Sequence, residues 1–205
     1  MNRIAFVAAS AAALLVAGAA SAQDTQTVAI NASVAPKCGV TAQKSTVTLA
    51  GDLTGTDAKV RSGVTTEIAN ALNDAQIVAF CNGTNSKVEI RRGVLARAGS
   101  TGFGLADGGF AQFINYHLDA SLGGVALDST STDGASIVAA RFGGHTSLSD
   151  SNTHVRFAQA ANNGVAVASA GGSSLTATNW GSNTDRRLAA GAYSGSVEVI
   201  VTPGA

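Results

Sequence analysis

Residues 27–40 read TVAINASVAPKCGV, and the first eight positions alternate between two sets of side chains. Successive side chains of a strand point to opposite faces, so one face carries every branched apolar residue of this stretch. We therefore predict a β-strand at residues 27–34. The same period of two returns at residues 196–202, near the end of the chain. The apolar faces of these two strands consist of Val28, Ile30, Ala32 and Val34, and of Val197, Val199 and Val201.

Most of the remaining pattern also has period two, and it predicts an all-β fold. Ile68 and Leu72, four residues apart, indicate a short helix at residues 65–73. The turn-forming sequence of residues 82–85 predicts a hairpin between the strands on either side of it. Short strands separated by many turns are typical of a β-sandwich. The further strands are predicted at residues 46–49, 75–81, 87–91, 113–120 and 125–127, and long loops at 97–109, 128–136, 143–153 and 169–187.

The N-terminus has the pattern of a bacterial export signal. Arg3 is followed by an uninterrupted small and apolar run from residue 4 to residue 20, and Ala20-Ser21-Ala22 gives a signal peptidase its small residues. The alternative is a membrane anchor, which the alanine-rich run and the cleavage pattern disfavour. We expect residues 1–22 to be removed, no later segment to span a membrane, and the protein to be exported to the periplasm and then the cell surface.

Cys38 and Cys81 are the only two cysteines. An oxidising compartment makes a disulfide the simplest expectation for an exported chain. Both lie in apolar runs, which suits a buried bridge between strands. A redox-active pair is usually close in sequence, as in Cys-x-x-Cys, and these two are not.

Composition excludes several classes of function. The 205 residues include 13 basic and 13 acidic side chains, and only 5% are aromatic, so clustered charge and stacking platforms for nucleic acid are missing. No nucleophile, zinc-protease or phosphate-loop motif is present. We expect a protein that is not an enzyme and has no cofactor or metal.

The candidate metal ligands do not form a site in the sequence. His117 is predicted to lie on a solvated strand face, and His145 and His154 are predicted to be solvated loop residues near Asp150. Asp128 and Asp133 lack the spacing of a calcium-binding loop.

Taken together, the chain resembles the spore coat protein U domain family, whose members are pilin subunits of archaic chaperone–usher systems. The resemblance rests on the export signal, the strand at residues 27–34, Cys38-Gly39-Val40, a second cysteine about forty residues later, and a Tyr116-centred strand. Its most specific element is the C-terminal motif Gly191-x-Tyr193 followed by Val197, Val199 and Val201. Two elements depart from the family pattern: Gly195 replaces an acidic residue, and a Phe-Gly-x-Tyr element near residues 50–53 is missing.

The resemblance implies an incomplete immunoglobulin-like sandwich at residues 37–205, which lacks one strand and has a hydrophobic groove in its place. It implies that a periplasmic chaperone fills this groove first and that the chain then passes through an outer-membrane usher. Residues 23–36 would be the donor-strand extension, filling the groove of the next subunit by β-strand addition. Head-to-tail contacts of this kind build a filament of identical or sister subunits, here a fimbria for adhesion or biofilm formation.

Other interpretations stay open at this point. Residues 27–34 could be the first strand of a self-contained domain. A secreted module that binds surface polysaccharide is the second functional interpretation, although Tyr116, Trp180 and Tyr193 are scattered along the sequence. An extracellular hydrolase is the third, and it lacks candidate residues.

Overall fold

A computed structural model describes residues 26–100, 105–127, 133–138, 141–144, 153–160, 167–169 and 186–204. The chain divides into two units, residues 1–34 and residues 35–205. In the first unit, residues 26–34 are described, and they form no strand. The strand predicted at residues 27–34 is therefore not paired within this structure.

The described part of the second unit is mostly β, with one α-helix, α1 (Val64–Asp74), and a 3₁₀ turn at Asp107–Gly109. This confirms the predicted β-rich class. The strands are β1 (Cys38–Thr41), β2 (Val78–Cys81), β3 (Ser86–Arg92), β4 (Leu95–Arg97), β5 (Phe113–Asn115), β6 (Leu118–Leu122), β7 (Val125–Leu127), β8 (Asp133–Val138), β9 (Val155–Gln159), β10 (Val167–Ser169), β11 (Tyr193–Ser194) and β12 (Val197–Thr202).

Antiparallel ladders join these strands into small sheets. The orders are β1-β2, β10-β5-β4-β11, β12-β3-β8 and β7-β6-β9. The longest ladders join β3 to β12, with Ile90 opposite Val199, and β3 to β8. β3 alternates as predicted, with Val88 and Ile90 buried, because its apolar residues repeat every second position.

The main core lies between these sheets and α1. Val88 and Ile90 of β3, Leu118 and Leu122 of β6, and Phe157 of β9 are buried together in it. α1 forms as predicted and extends one residue further at each end: its apolar positions repeat with helical spacing, and Val64, Ile68 and Ala69 are buried. Val197, Val199 and Val201 of β12 are only partly buried against this core.

A disulfide joins Cys38 to Cys81, as predicted. The two residues are direct partners in the β1–β2 ladder, with Cα atoms 4.2 Å apart. The bridge closes a loop of 42 intervening residues, which the chain-entropy model values at about 4 kcal/mol. It fixes the start of β1, the first strand after the N-terminal segment.

Three predicted pairings or strands are wrong. β2 and β3 do not form a hairpin: β2 pairs with β1, and β3 pairs with β12 and β8, so residues 82–85 carry the chain from one sheet to another. The strand predicted at residues 113–120 is broken at Tyr116-His117 into β5 and β6, which belong to different sheets. Residues 46–49 form no strand, although Val47 and Leu49 are half-buried and Thr48 is exposed.

The glycine-rich regions contain more structure than the sequence predicts. β8 lies partly within the predicted loop at residues 128–136, and β9 was not predicted. β6 and β7 form a hairpin that turns at Gly123-Gly124, whose positive φ values of 56° and 80° suit a two-residue turn. In the described ranges, no helix is both long and apolar enough to cross a bilayer.

Candidate functional site

With β8, which also has six residues, β12 is one of the two longest edge strands in the described part of the chain. Its six residues pair with β3 along one edge, and no described strand pairs with the other edge. β1 approaches this region without forming a ladder with β12. An unpaired strand edge offers a row of backbone donors and acceptors to another strand, so β12 can accept a strand from elsewhere.

A cavity of about 340 Å³ lies at the N-terminal end of β12. Its lining includes Ser194, Gly195 and Val197, together with residues 47–49. Ile68 and Leu72 of α1, with Leu95 and Tyr116, contribute apolar side chains to the lining. We call this cavity, together with the unpaired edge of β12, the β12 groove.

The segment from Cys38 to Leu49 lies beside the β12 groove. The Cys38 sulfur lies 4.0 Å from the Ser86 hydroxyl, and Ser86 also accepts a hydrogen bond from the backbone N–H of Gly204, just beyond the C-terminal end of β12. Residues 47–49 line the cavity at the opposite end. The chain from Cys38 to Leu49 therefore extends from the C-terminal end of β12 to its N-terminal end. Its first part is hydrogen-bonded elsewhere, Cys38–Thr41 to β2 and the N–H groups of Gln43 and Lys44 to the Ala75 carbonyl.

Tyr116 contributes an aromatic ring to the groove, and the buried guanidinium of Arg92 lies next to this ring. The ring is 2% exposed, and the Arg92 guanidinium lies 5.0 Å from its centroid. Arg92 donates a hydrogen bond from Nη1 to Oδ1 of buried Asn115, at 3.1 Å. Burial raises the pKa of Tyr116 to about 12 and lowers the pKa of Arg92, since both lose solvation of their charged forms. At neutral pH the groove therefore presents a neutral phenol.

Tyr193, from the predicted C-terminal motif, also lines the groove. Its hydroxyl donates to the carbonyl of Ala189 at 2.8 Å, with the carbonyl of Ala111 at 3.3 Å as a second acceptor. Burial raises the pKa of Tyr193. Gly191 has φ 148°, and a Cβ there would lie 2.9 Å from Arg97 Nε, so a larger residue would be strained. The Gly191-x-Tyr193 element thus fixes the chain as it approaches β12.

The outer edge of β9, an edge strand near the core, is covered. Asn73 of α1 donates from Nδ2 to the carbonyl of Phe157 at 2.8 Å and accepts from the Phe157 N–H at 2.9 Å. One side chain thereby satisfies both backbone groups of a strand residue, as a neighbouring strand would. Covering an edge in this way prevents unwanted pairing, whereas no described strand pairs with the outer edge of β12 or with that of β8. Asn73 had no signal in the sequence beyond its position in the helix.

The apolar residues of the N-terminal segment are exposed. Val28, Ile30 and Val34 are 78%, 91% and 82% exposed, and Ala32 is also exposed. Branched apolar side chains at alternate positions, exposed and outside any strand, match the requirements of a strand that pairs elsewhere. All four predicted donor residues are therefore exposed, and none of them lies in a paired strand.

The histidine predictions need correction. His117 is buried rather than solvated, because the break between β5 and β6 turns it inward. His154 is buried as well, and it bridges to Val78 of β2. His145, Asp150, Asp128 and Trp180 lie outside the described residues, as does the side chain of Asp133. Among the residues that are described, no three His, Cys, Asp or Glu side chains come together as metal ligands.

Comparison of the chain with protein-family models, with curated proteins and with solved structures finds no match.

Proposed function

We propose that this protein is a structural subunit of a surface fimbria and that it polymerises by β-strand addition. In this proposal residues 37–205 are an incomplete immunoglobulin-like sandwich, and residues 23–36 are the donor-strand extension. The observation that carries the proposal is the β12 groove, where a six-residue strand with no described partner on its outer edge lies beside an apolar cavity of about 340 Å³.

The partly buried valines of β12 support this function. Val197, Val199 and Val201 face the core, yet each is still partly exposed. A strand inserted along the open edge would complete their burial and would pair the backbone groups on that side. Main-chain hydrogen bonds would supply affinity, and alternate side chains would supply specificity.

The N-terminal segment supplies a suitable occupant. Its apolar residues have the spacing of a strand, and burial of a Val or Ile side chain is worth about 1.5–3 kcal/mol. A one-residue shift would turn the whole apolar face outward, so the register of insertion is strongly determined. Ala35, Pro36 and Lys37 then connect this segment to β1.

An unfilled groove of this kind would promote aggregation, which supports a role for a periplasmic chaperone before assembly. Delivery through an outer-membrane usher, and a fimbrial role in adhesion or biofilm formation, belong to the same proposal. The function requires neither a cofactor nor a catalytic residue. The contact is head-to-tail, and such contacts generate open filaments when the rotation does not close a ring.

The groove can be tested without any partner protein. In a chain that begins at Ala35, a copy of residues 26–34 is attached after Ala205 through a short Gly/Ser turn, so that it lies antiparallel to β12. We expect a monomer that unfolds cooperatively at higher denaturant concentration than the same chain without the copy. The matched control carries serine at the four apolar positions of the copy. Equal stability of the two copy-bearing chains would contradict the proposal.

A further inference from the structure

The turn at residues 82–86 holds the root of the N-terminal segment, Ala35-Pro36-Lys37, against the domain. The backbone N–H of Lys37 donates to Asn82 Oδ1 at 2.5 Å, and the Asn82 N–H donates to the Lys37 carbonyl at 3.0 Å. Asn82 Nδ2 also donates to the Ala35 carbonyl at 3.3 Å. Asn82 is itself held by Arg141 Nε, which donates to its carbonyl at 2.7 Å. One asparagine thus makes three hydrogen bonds to the root.

The same turn holds the C-terminal end of β12. The Gly204 N–H donates to Ser86 Oγ at 3.3 Å, and a Cβ on Gly83 would lie 2.7 Å from the Gly204 carbonyl oxygen. The two backbones touch, which requires glycine on both sides. The Pro36 side chain lies on Gly83 as well, since it would be 3.3 Å from that Cβ. The root and the C-terminal end of β12 therefore lie together at one end of the domain.

This placement prevents the extension from pairing antiparallel with its own β12. In that orientation Val34 would lie beside Val197, five residue steps or about 17 Å from the C-terminal end of β12. Only one peptide unit, about 3.8 Å, separates Val34 from the fixed Ala35. The chain is too short by more than 10 Å, so the extension cannot be the antiparallel partner of its own β12.

A parallel arrangement within the same molecule would need a reversal of the chain at the root. Ala35 precedes Pro36, and the residue before proline is restricted to extended conformations. Its carbonyl is also bound by Asn82. A reversal would therefore have to use residues 31–34, which would remove Ala32 and Val34 from the donor face.

We infer that the turn at residues 82–86, through Asn82, keeps the extension from filling its own groove, so that the occupant of the β12 groove is the extension of a second copy of this chain. This inference rests on the proposed function and deepens it: it makes Asn82 a positioning residue that selects assembly over self-completion.

The experiment inserts a Gly/Ser linker of about 14 residues between Val34 and Ala35. Such a linker has a root-mean-square span of about 20 Å, enough to let the extension reach its own groove antiparallel. Its effective concentration is then millimolar, roughly 100-fold above a protein concentration of about 10 μM. The matched control carries the same linker immediately before Gln26, where it adds length without freeing the root. All chains lack residues 1–22 and are refolded from denaturant with the disulfide intact.

The measurements are light scattering after gel filtration and protection of residues 26–34 from proteolysis. We expect the wild-type chain and the control to form concentration-dependent polymers, and the linker variant to be a monomer with a protected extension. Asn82→Ala should increase the protected monomer relative to wild type, because its root is free. The linker variant tests the inference even where Asn82→Ala fails to fold.

Two results would overturn the inference. A wild-type monomer with a protected extension would show self-completion, and the groove-filling function would stay intact. A linker variant that polymerises like the control would show that the length of the tether does not decide between assembly and self-completion. Absence of protection in every chain would instead remove the proposed function, and this inference with it.

Discussion

The substitution Ile30→Asp separates a donor strand from a structural strand of the same domain. Ile30 is 91% exposed and lies in a segment without strand structure. Exposed substitutions away from caps and turns change stability by about 0.5 kcal/mol or less. We therefore expect the free energy of unfolding of the domain to remain unchanged in the variant.

Assembly should respond very differently. Inserted in a neighbour's groove, Ile30 would contribute about 2 kcal/mol through burial of its side chain, and this contribution is lost. A carboxylate in the same apolar site adds a desolvation penalty of at least about 2 kcal/mol, even when it becomes protonated. A total of about 4 kcal/mol corresponds to a roughly thousand-fold weaker contact between subunits.

The chain offers a matched control one residue away. Asn31→Asp introduces the same charge, but residue 31 lies on the opposite face of the predicted strand. Polymer formation is followed by light scattering during refolding, and domain stability by denaturant unfolding. Ile30→Asp should abolish polymer growth while Asn31→Asp assembles like wild type. Equal assembly of the two variants, or unfolding of the Ile30→Asp domain, would refute the reasoning.

Two further substitutions test the domain itself. Asn73→Ala removes both hydrogen bonds to the Phe157 backbone, so the free energy of unfolding should fall by about 1–3 kcal/mol. The control is Asn70→Ala at an exposed position of the same helix, which should leave the free energy of unfolding almost unchanged. Equal losses of stability in the two variants would contradict the edge-covering role of Asn73. Burial holds the pKa of Tyr116 at about 12, above the value of about 10 in an unfolded chain. The stabilisation by the neutral phenol is therefore complete below pH 10, and the free energy of unfolding should fall by about 3 kcal/mol as the pH rises through 12. Denaturant titrations at several pH values should show this fall in the wild-type protein and not in Tyr116→Phe.

Local periodicity predicted the individual elements well. The helix at residues 65–73, the inward face of β3 and the valine face of β12 follow from spacing alone, because each repeats its apolar residues with the period of its own backbone. The disulfide followed from cysteine count and compartment. These features depend on neighbours in the sequence, and so the sequence carries them directly.

Pairing between distant segments was harder to predict. Residues 82–85 have the composition of a hairpin turn, yet Asn82 bonds to residue 37 and to Arg141 instead, and β2 and β3 enter separate sheets. His117 was predicted outward from a strand period that breaks at its own position. The covering of β9 by Asn73 depends on a contact across 84 residues, for which a single sequence gives no signal.

The contrast between two edges gives the strongest argument for function. A fold that had only to remain monomeric would need to protect both β9 and β12, since either edge can recruit a foreign strand. It covers β9 with the Asn73 side chain, whereas no described strand pairs with the outer edge of β12, which lies beside the apolar cavity. The same chain carries eight residues whose spacing suits that edge, and their root is held at the C-terminal end of β12, too far from Val197 for an antiparallel strand within one molecule. Covering one edge, opening the other and tethering the matching strand too short for self-completion is the combination that a polymerising subunit requires.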